Sequence, residues 1–387
     1  MNNTFKFKLV ATLVVILVGV IGGLQLYSHR HFDTPLVASK GVTDVKKLSD
    51  YYEGLEGTFA DTKIFTLKGE EEGGKALVLG NSHPSEPVSA LTSLLLVENA
   101  AVEKGTIYVI PSFNRSASRY TKPGDGYPLY YNISTPWGEK KFRLGNRGAS
   151  PLDQWPDPSV YIHYPDKQML SYQDARNINR TWPGRPDGPL MEQVTYAAME
   201  LIREENVDMA IDIHGAETMF PVTNCFVVPS KSRQIATLAS LNVQANQGFE
   251  NHIEPSPPNF HGLSHREIAD HSDALPFLIE APEPFLDQPT GPKTTDLLLD
   301  GKDPLLLSLS KQGRLYVPYD KTGWPMKERV GQQSSLIQET VRQFTTTHPG
   351  KPITISGVPE YKQIVENGIG YYYHNPEEAP DDRVYMQ

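Results

Sequence analysis

The stretch Lys75-Ala-Leu-Val-Leu-Gly-Asn-Ser-His-Pro-Ser-Glu-Pro-Val-Ser-Ala90 joins a short apolar run to a small polar turn that carries His83 and Glu86. Ala76 to Leu79 is continuous and apolar, which reads as a buried strand. Pro87 suits the first turn of a helix, and Val88 to Ala101 has the apolar spacing of one. His83 and Glu86 therefore fall at the carboxyl end of a strand, where open α/β sheets place their ligands. An imidazole and a carboxylate three positions apart on one turn can both reach a zinc ion, whose nitrogen and oxygen donors sit at about 2.0–2.2 Å. His-x-x-Glu recurs by chance in long chains, so the pair takes its meaning from what accompanies it.

Working outward, Thr106 to Ile110 is a second strand, and strand, helix, strand with this crossover implies parallel pairing. Val207-Asp-Met-Ala-Ile-Asp-Ile213 is a third, ending at His214-Gly215. His214 is thereby set to face the same crevice as His83 and Glu86, with Asp212 two residues earlier on the same face, placed to orient a ligand. Ala274-Leu-Pro-Phe-Leu-Ile-Glu280 is an apolar strand that ends by delivering one carboxylate, and burying a lone carboxylate is costly enough to demand a partner or a task. Between these elements, Ser116 to Tyr172 is rich in Gly, Pro, Tyr and Trp without a sustained period, an excursion of the kind that shapes a cleft. It holds Arg143 and Arg147. Next, Asn179-Arg180, in a turn closed by Pro183-Gly184, presents an amide and a planar fork suited to a carboxylate. Leu190 to Glu204 has helical periodicity.

Taken in order, His83-x-x-Glu86, Asn179-Arg180 with a following aromatic-Pro-Gly, Asp212-x-His214-Gly215 and Glu280 resemble the zinc carboxypeptidase superfamily, closest to its succinylglutamate desuccinylase/aspartoacylase branch. The resemblance covers roughly residues 75 to 285. It implies an α/β fold with a mixed, largely parallel central sheet and helices on both faces. It also implies one Zn2+ per chain, held by His83, Glu86 and His214 with water at the fourth position. Glu280 matches the family's general base, and Asn179 with Arg180 its substrate-carboxylate site. The family's carbonyl-polarising arginine corresponds to Arg147 first and Arg143 second, whereas the sequence does not single out its active-site tyrosine among 19 candidates. A rival metal reading involves His261, His265 and His271, of which the first two have the spacing that shares one helix face.

The remaining sequence sets location and organisation. Lys6 and Lys8 precede an unbroken apolar run from Leu9 to Leu24, extended by Leu26 and Tyr27, which reads as a signal-anchor with the bulk of the chain on the extracytoplasmic side, or secreted if the segment is cleaved. Residues 1–34 are then anchor and linker, 35–304 the catalytic domain, and 305–387 a small α+β appendage with an acidic, mobile tail. Val45 to Leu55 reads as a short helix, Thr58 to Leu67 as an edge strand, and Glu70 to Gly74 as a solvated turn. The net charge of −10 and the absence of a basic block argue against nucleic acid as a partner. Cys225, the single cysteine, reads as a small buried hydrophobe.

The resulting expectation is a membrane-anchored zinc hydrolase cleaving an amide bond beside a free carboxylate, in the manner of a metallocarboxypeptidase on peptides. N-acyl amino acid deacylation is the alternative, and a non-catalytic envelope binding protein on the same fold is a third.

Overall fold

Alternating apolar residues split each central strand between two cores. Ala76 and Val78 pack into one cluster with Phe65, Val109, Ile211 and Ile279, while Leu77 and Leu79 join another with Ile110 and Ala210. In the computed structural model, which describes residues 3–387 apart from 123 and 125, these clusters lie on opposite faces of one sheet. Among the described residues its strands run in the order His252–Pro255, Cys225–Val228, Leu275–Pro282, Met209–Ala216, Glu71–Leu79, Ala101–Ile110, Lys63–Lys68, Val42–Lys47. The four strands from Leu275–Pro282 to Ala101–Ile110 are mutually parallel. Antiparallel neighbours flank them, so the sheet is mixed with a parallel centre, as expected.

Helices cover both faces. Pro87–Asn99, Arg233–Gln247 and Met326–Thr347 contribute to the larger cluster, and Leu190–Glu204 and Ser264–His271 to the other. Cys225 is buried, as its sequence neighbours imply.

Several local expectations change. Val45 to Leu55 is not a helix: Val42–Lys47 is a strand, followed by 3-10 turns at Leu48–Asp50 and Glu53–Leu55. That strand covers the outer side of Lys63–Lys68, which is consequently not an edge. Glu71 to Gly74 begins the strand Glu71–Leu79 rather than forming a solvated turn. Its glycines serve close backbone approach, since a Cβ on Gly73 would lie 1.9 Å from the Pro352 carbonyl oxygen.

Both ends of the chain are tied into the fold. Residues 305–387 supply the 22-residue helix Met326–Thr347, which is buried over most of its length, and Thr354–Ser356, which pairs with the first residues of Ala101–Ile110. The segment expected as an appendage thus completes the core. The acidic tail is followed by Val384–Met386, paired with Pro35–Val37. Likewise the expected linker is docked: His29 Nε2 lies 2.9 Å from the Leu144 carbonyl oxygen, and Asp33 pairs with Arg119. Ahead of it, Asn3–His31 is one helix, exposed along its apolar length and long enough to cross a membrane.

Candidate metal centre and cleft

The strand Glu71–Leu79 ends in a turn whose shape depends on two residues. Gly80 packs against the following helix so closely that a Cβ would lie 2.2 Å from Ser93 Oγ. Asn81 then takes φ +59°, a left-handed conformation that asparagine tolerates better than most side chains. This reversal projects His83 and Glu86 over the ends of the parallel strands. One strand away, His214 pairs in register with Glu280, and Gly215 N donates to Glu86 Oε2 at 2.9 Å.

Three buried donors converge there. Glu86 Oε1 is 2.8 Å from His83 Nδ1, Glu86 Oε2 is 3.1 Å from His214 Nδ1, and the two Nδ1 atoms are 3.2 Å apart. The outer nitrogens settle what the inner ones carry. His83 Nε2 is 2.8 Å from Asn177 Oδ1, and His214 Nε2 is 2.9 Å from Asp212 Oδ2. Both partners can accept, so each Nε2 carries a proton, and whenever the ring is neutral its Nδ1 turns a lone pair inward. Lone pairs on two imidazoles and a carboxylate at these separations repel unless a cation lies among them. Donors about 2.1 Å from a common tetrahedral centre stand about 3.4 Å apart, close to the spacing observed. The residues present therefore fit a zinc ion, with outer partners of the kind that orient metal-binding imidazoles.

Asp212 accepts from Ser82 Oγ at 2.7 Å and Ser264 Oγ at 2.6 Å and stays below the ordinary carboxylate range despite its burial. Burial lowers His83 to about 4, keeping the ring neutral. Burial would also lower His214, but the Asp212 and Glu86 carboxylates outweigh it and hold the metal-free imidazole protonated well above the ordinary histidine range, so a cation bound at Nδ1 would displace that proton.

A cavity of about 560 Å³ opens from this centre, lined by His83, Glu86, Arg147, Asn179, Arg180 and Glu280. Burial, with Glu86 and Glu217 nearby, pushes Glu280 up to about 8 against the pull of His214 and Arg147. Its Oε2 is buried without a hydrogen-bond partner. Arg180 lies over the Phe260 ring at 4.8 Å and donates to the Asn179 carbonyl at 2.7 Å. Neither Arg147 nor Arg180 has an ion-pair partner among the described residues. Arg147 is brought in by Gly145, whose N–H donates to the Pro84 carbonyl at 3.0 Å and where a Cβ would meet Pro84 Cβ at 2.4 Å.

Arg143 is elsewhere. Its guanidinium donates to the carbonyls of His29 and Phe32 and to Ser118 Oγ, so it anchors the N-terminal segment and does not reach the cavity. No tyrosine lines the cavity among the described residues. His265 does line it, with Nδ1 2.8 Å from Ser256 Oγ, while His261 precedes the helix Ser264–His271 and shares no helix face with it. Sequence reasoning missed Asn177, the partner of His83, and Gln333, whose Nε2 donates to the His214 carbonyl at 2.6 Å. Asn177 sits two residues before Asn179, a visible signal; Gln333 gave none.

No family model matches the chain and no curated protein is similar to it. Among solved structures it is similar to the ectoine utilization protein EutE of Ruegeria pomeroyi, at 17% identity and TM-score 0.35, covering 57% of this chain and 53% of that one. A metallo-carboxypeptidase from Burkholderia cenocepacia matches at 11% identity and TM-score 0.44, covering 84% and 69%. The cell shape determinant Csd4 of Helicobacter pylori matches at 12% identity and TM-score 0.44, covering 79% and 59%. The chain thus spans about half the length of EutE. At these superposition scores the likeness says nothing of chemistry, which comes from the side chains of the cavity.

Proposed function

We propose that the chain is a zinc-dependent hydrolase of an amide bond adjacent to a free carboxylate, acting on peptide C-termini. The observation that carries this is the convergence of three lone-pair donors, from His83, Glu86 and His214, beside a cavity that holds two unpaired guanidiniums. A bound zinc ion supplies Lewis-acid polarisation of a carbonyl and makes water acidic enough to ionise near neutral pH. Arg180 and Asn179 hold the substrate carboxylate, which fixes the scissile carbonyl relative to the centre. Arg147 faces the negative charge that develops on the carbonyl oxygen. Glu280 accepts the proton of the attacking water as the C–O bond forms, then returns it to the leaving nitrogen as the C–N bond breaks. Its burial suits both steps, because a carboxyl held near neutrality can take and give a proton at similar cost.

Deacylation of N-acyl amino acids uses the same groups and differs only in what fills the apolar part of the cavity, formed by Met219, Phe220, Val222 and Phe260. The exposed apolar helix Asn3–His31, with Lys6 and Lys8 at its start, supports anchoring in a membrane with the hydrolase domain extracytoplasmic. The test uses the full-length chain in detergent: zinc content by mass spectrometry for wild type and for His83→Ala/His214→Ala, then assays on peptides, C-terminally amidated peptides and N-acyl amino acids. One zinc equivalent fewer in the variant than in wild type and cleavage confined to free-acid substrates are expected. A folded, zinc-supplemented wild type without zinc would turn the reading to a binding protein, and equal cleavage of amidated peptides would remove the carboxylate site.

A further inference from the structure

On the far side of the turn that carries Arg180, four side chains from three separate segments meet. His163 and Asp166 lie between the paired strands Tyr161–Ile162 and Met169–Leu170, His261 lies in the loop before Ser264–His271, and Glu267 lies on that helix. One donor atom from each falls within 4.8 Å of all the others. His261 Nδ1 is 3.1 Å from Asp166 Oδ2 and 3.0 Å from Glu267 Oε1.

The state of His163 makes this more than a cluster of polar groups. Its Nε2 is 2.6 Å from the Trp182 carbonyl oxygen, which can only accept, so Nε2 carries the proton and Nδ1 keeps its lone pair. His163 is 1% exposed, and Nδ1 has no hydrogen-bond partner, though Asp166 Oδ2 stands 3.9 Å away. A buried imidazole lone pair 3.9 Å from a carboxylate is unfavourable without a cation, and the protonated Nε2 lies 4.0 Å from Glu267 Oε1. An imidazole whose other nitrogen donates to a backbone carbonyl is also the usual arrangement of a metal-binding histidine. Glu267 is fully buried; its Oε1 accepts the Gly262 N–H at 2.9 Å and its Oε2 has no hydrogen-bond partner, so part of its charge is left for a cation to offset.

We propose that His163, Asp166, His261 and Glu267 form a second divalent-cation site, structural in role. Two imidazoles and two carboxylates suit zinc, and the set is closed by four protein donors with no position left for substrate. The site ties the excursion preceding Asn179 to the loop that flanks Arg180. Gly262, next to His261, approaches the Arg180 backbone so closely that a Cβ would lie 2.3 Å from the Arg180 carbonyl oxygen. Occupancy therefore holds the wall of the cleft in place. Of the three histidines in the rival reading, His261 alone belongs to the set; His271 touches Glu267 through the other oxygen, Oε2, at 3.1 Å.

The test compares zinc equivalents per chain in the full-length, detergent-solubilised protein after equilibration with zinc and removal of excess. Asp166→Asn/His261→Asn is expected to hold one equivalent fewer than wild type, and His83→Ala/His214→Ala to keep the equivalent that the first variant loses. Because Asp166 is partly exposed, Asp166→Asn alone serves as a variant that keeps its fold, and it should bind the second equivalent at least tenfold more weakly. An unchanged count in the double variant, or a count that falls to zero in His83→Ala/His214→Ala, overturns the proposal. The readout is a difference between variants, so it stands or falls separately from the function of the first centre.

Discussion

His83 Nδ1 and His214 Nδ1 lie 3.2 Å apart, with His83 Nε2 2.8 Å from Asn177 Oδ1 and His214 Nε2 2.9 Å from Asp212 Oδ2 on the outer side. An imidazole from a turn and one from a strand thus meet at one point. Asp212→Asn leaves both in place but removes the charge behind His214. It is expected to weaken zinc binding about 10–100-fold, read by competition with a chromophoric chelator. Unchanged affinity would mean that Asp212 only shapes the turn.

Glu280→Gln preserves shape and removes the proton acceptor. Zinc content should stay at the wild-type value while kcat falls about 100-fold or more. Full activity with zinc bound would take Glu280 out of the mechanism.

Arg147 and Arg143 are four residues apart and should behave differently. Arg147→Met is expected to cost on the order of 3 kcal/mol in kcat/KM with thermal stability nearly unchanged, as for loss of one oxyanion donor. Arg143→Met should instead lower the melting temperature, because three acceptors around it lose their donor. The opposite pattern would exchange their roles.

His265 provides the pH dependence. Burial lowers its pKa from 6.5 to about 3, so the folded protein keeps it neutral where the unfolded chain protonates it. Its contribution to stability is complete above pH 6.5 and declines as pH falls toward 3, by about 1.4 kcal/mol per pH unit. Denaturant titrations at pH 7 and pH 5 should show a smaller drop for His265→Gln than for wild type. Equal drops would contradict the neutral, buried imidazole.

Lys140 and Glu98, both buried, pair at 2.5 Å and fasten the hairpin strand Gly138–Arg143 to the helix Pro87–Asn99. Lys140→Met leaves Glu98 charged and buried, and about 3–5 kcal/mol of stability should be lost. Adding Glu98→Gln should restore part of it, and a double variant no more stable than the single would show that the carboxylate is not the liability.

What was legible in the sequence followed local rules. Apolar runs that end in His, Glu or Gly placed the strands to Leu79, Ile213 and Glu280 on their elements, and they are adjacent in the sheet as parallel pairing requires. In Met326–Thr347, Gln332-Gln333-Ser334-Ser335 is polar in sequence, yet these residues are buried and bonded inside the core. Buried polar side chains satisfied by distant partners leave no periodic trace in a chain.

The sequence by itself determined the types of the candidate site residues, their order and the strand ends that carry them, since each depends on residues a few positions apart. Only the tertiary structure decided which arginine faces the cavity and that Asn177 holds His83. It alone decided that His163 meets His261 and that the last eighty residues complete the core. Those relations join segments far apart in the chain, and they are set by packing and by the need of each buried polar group for a partner, which no local pattern records.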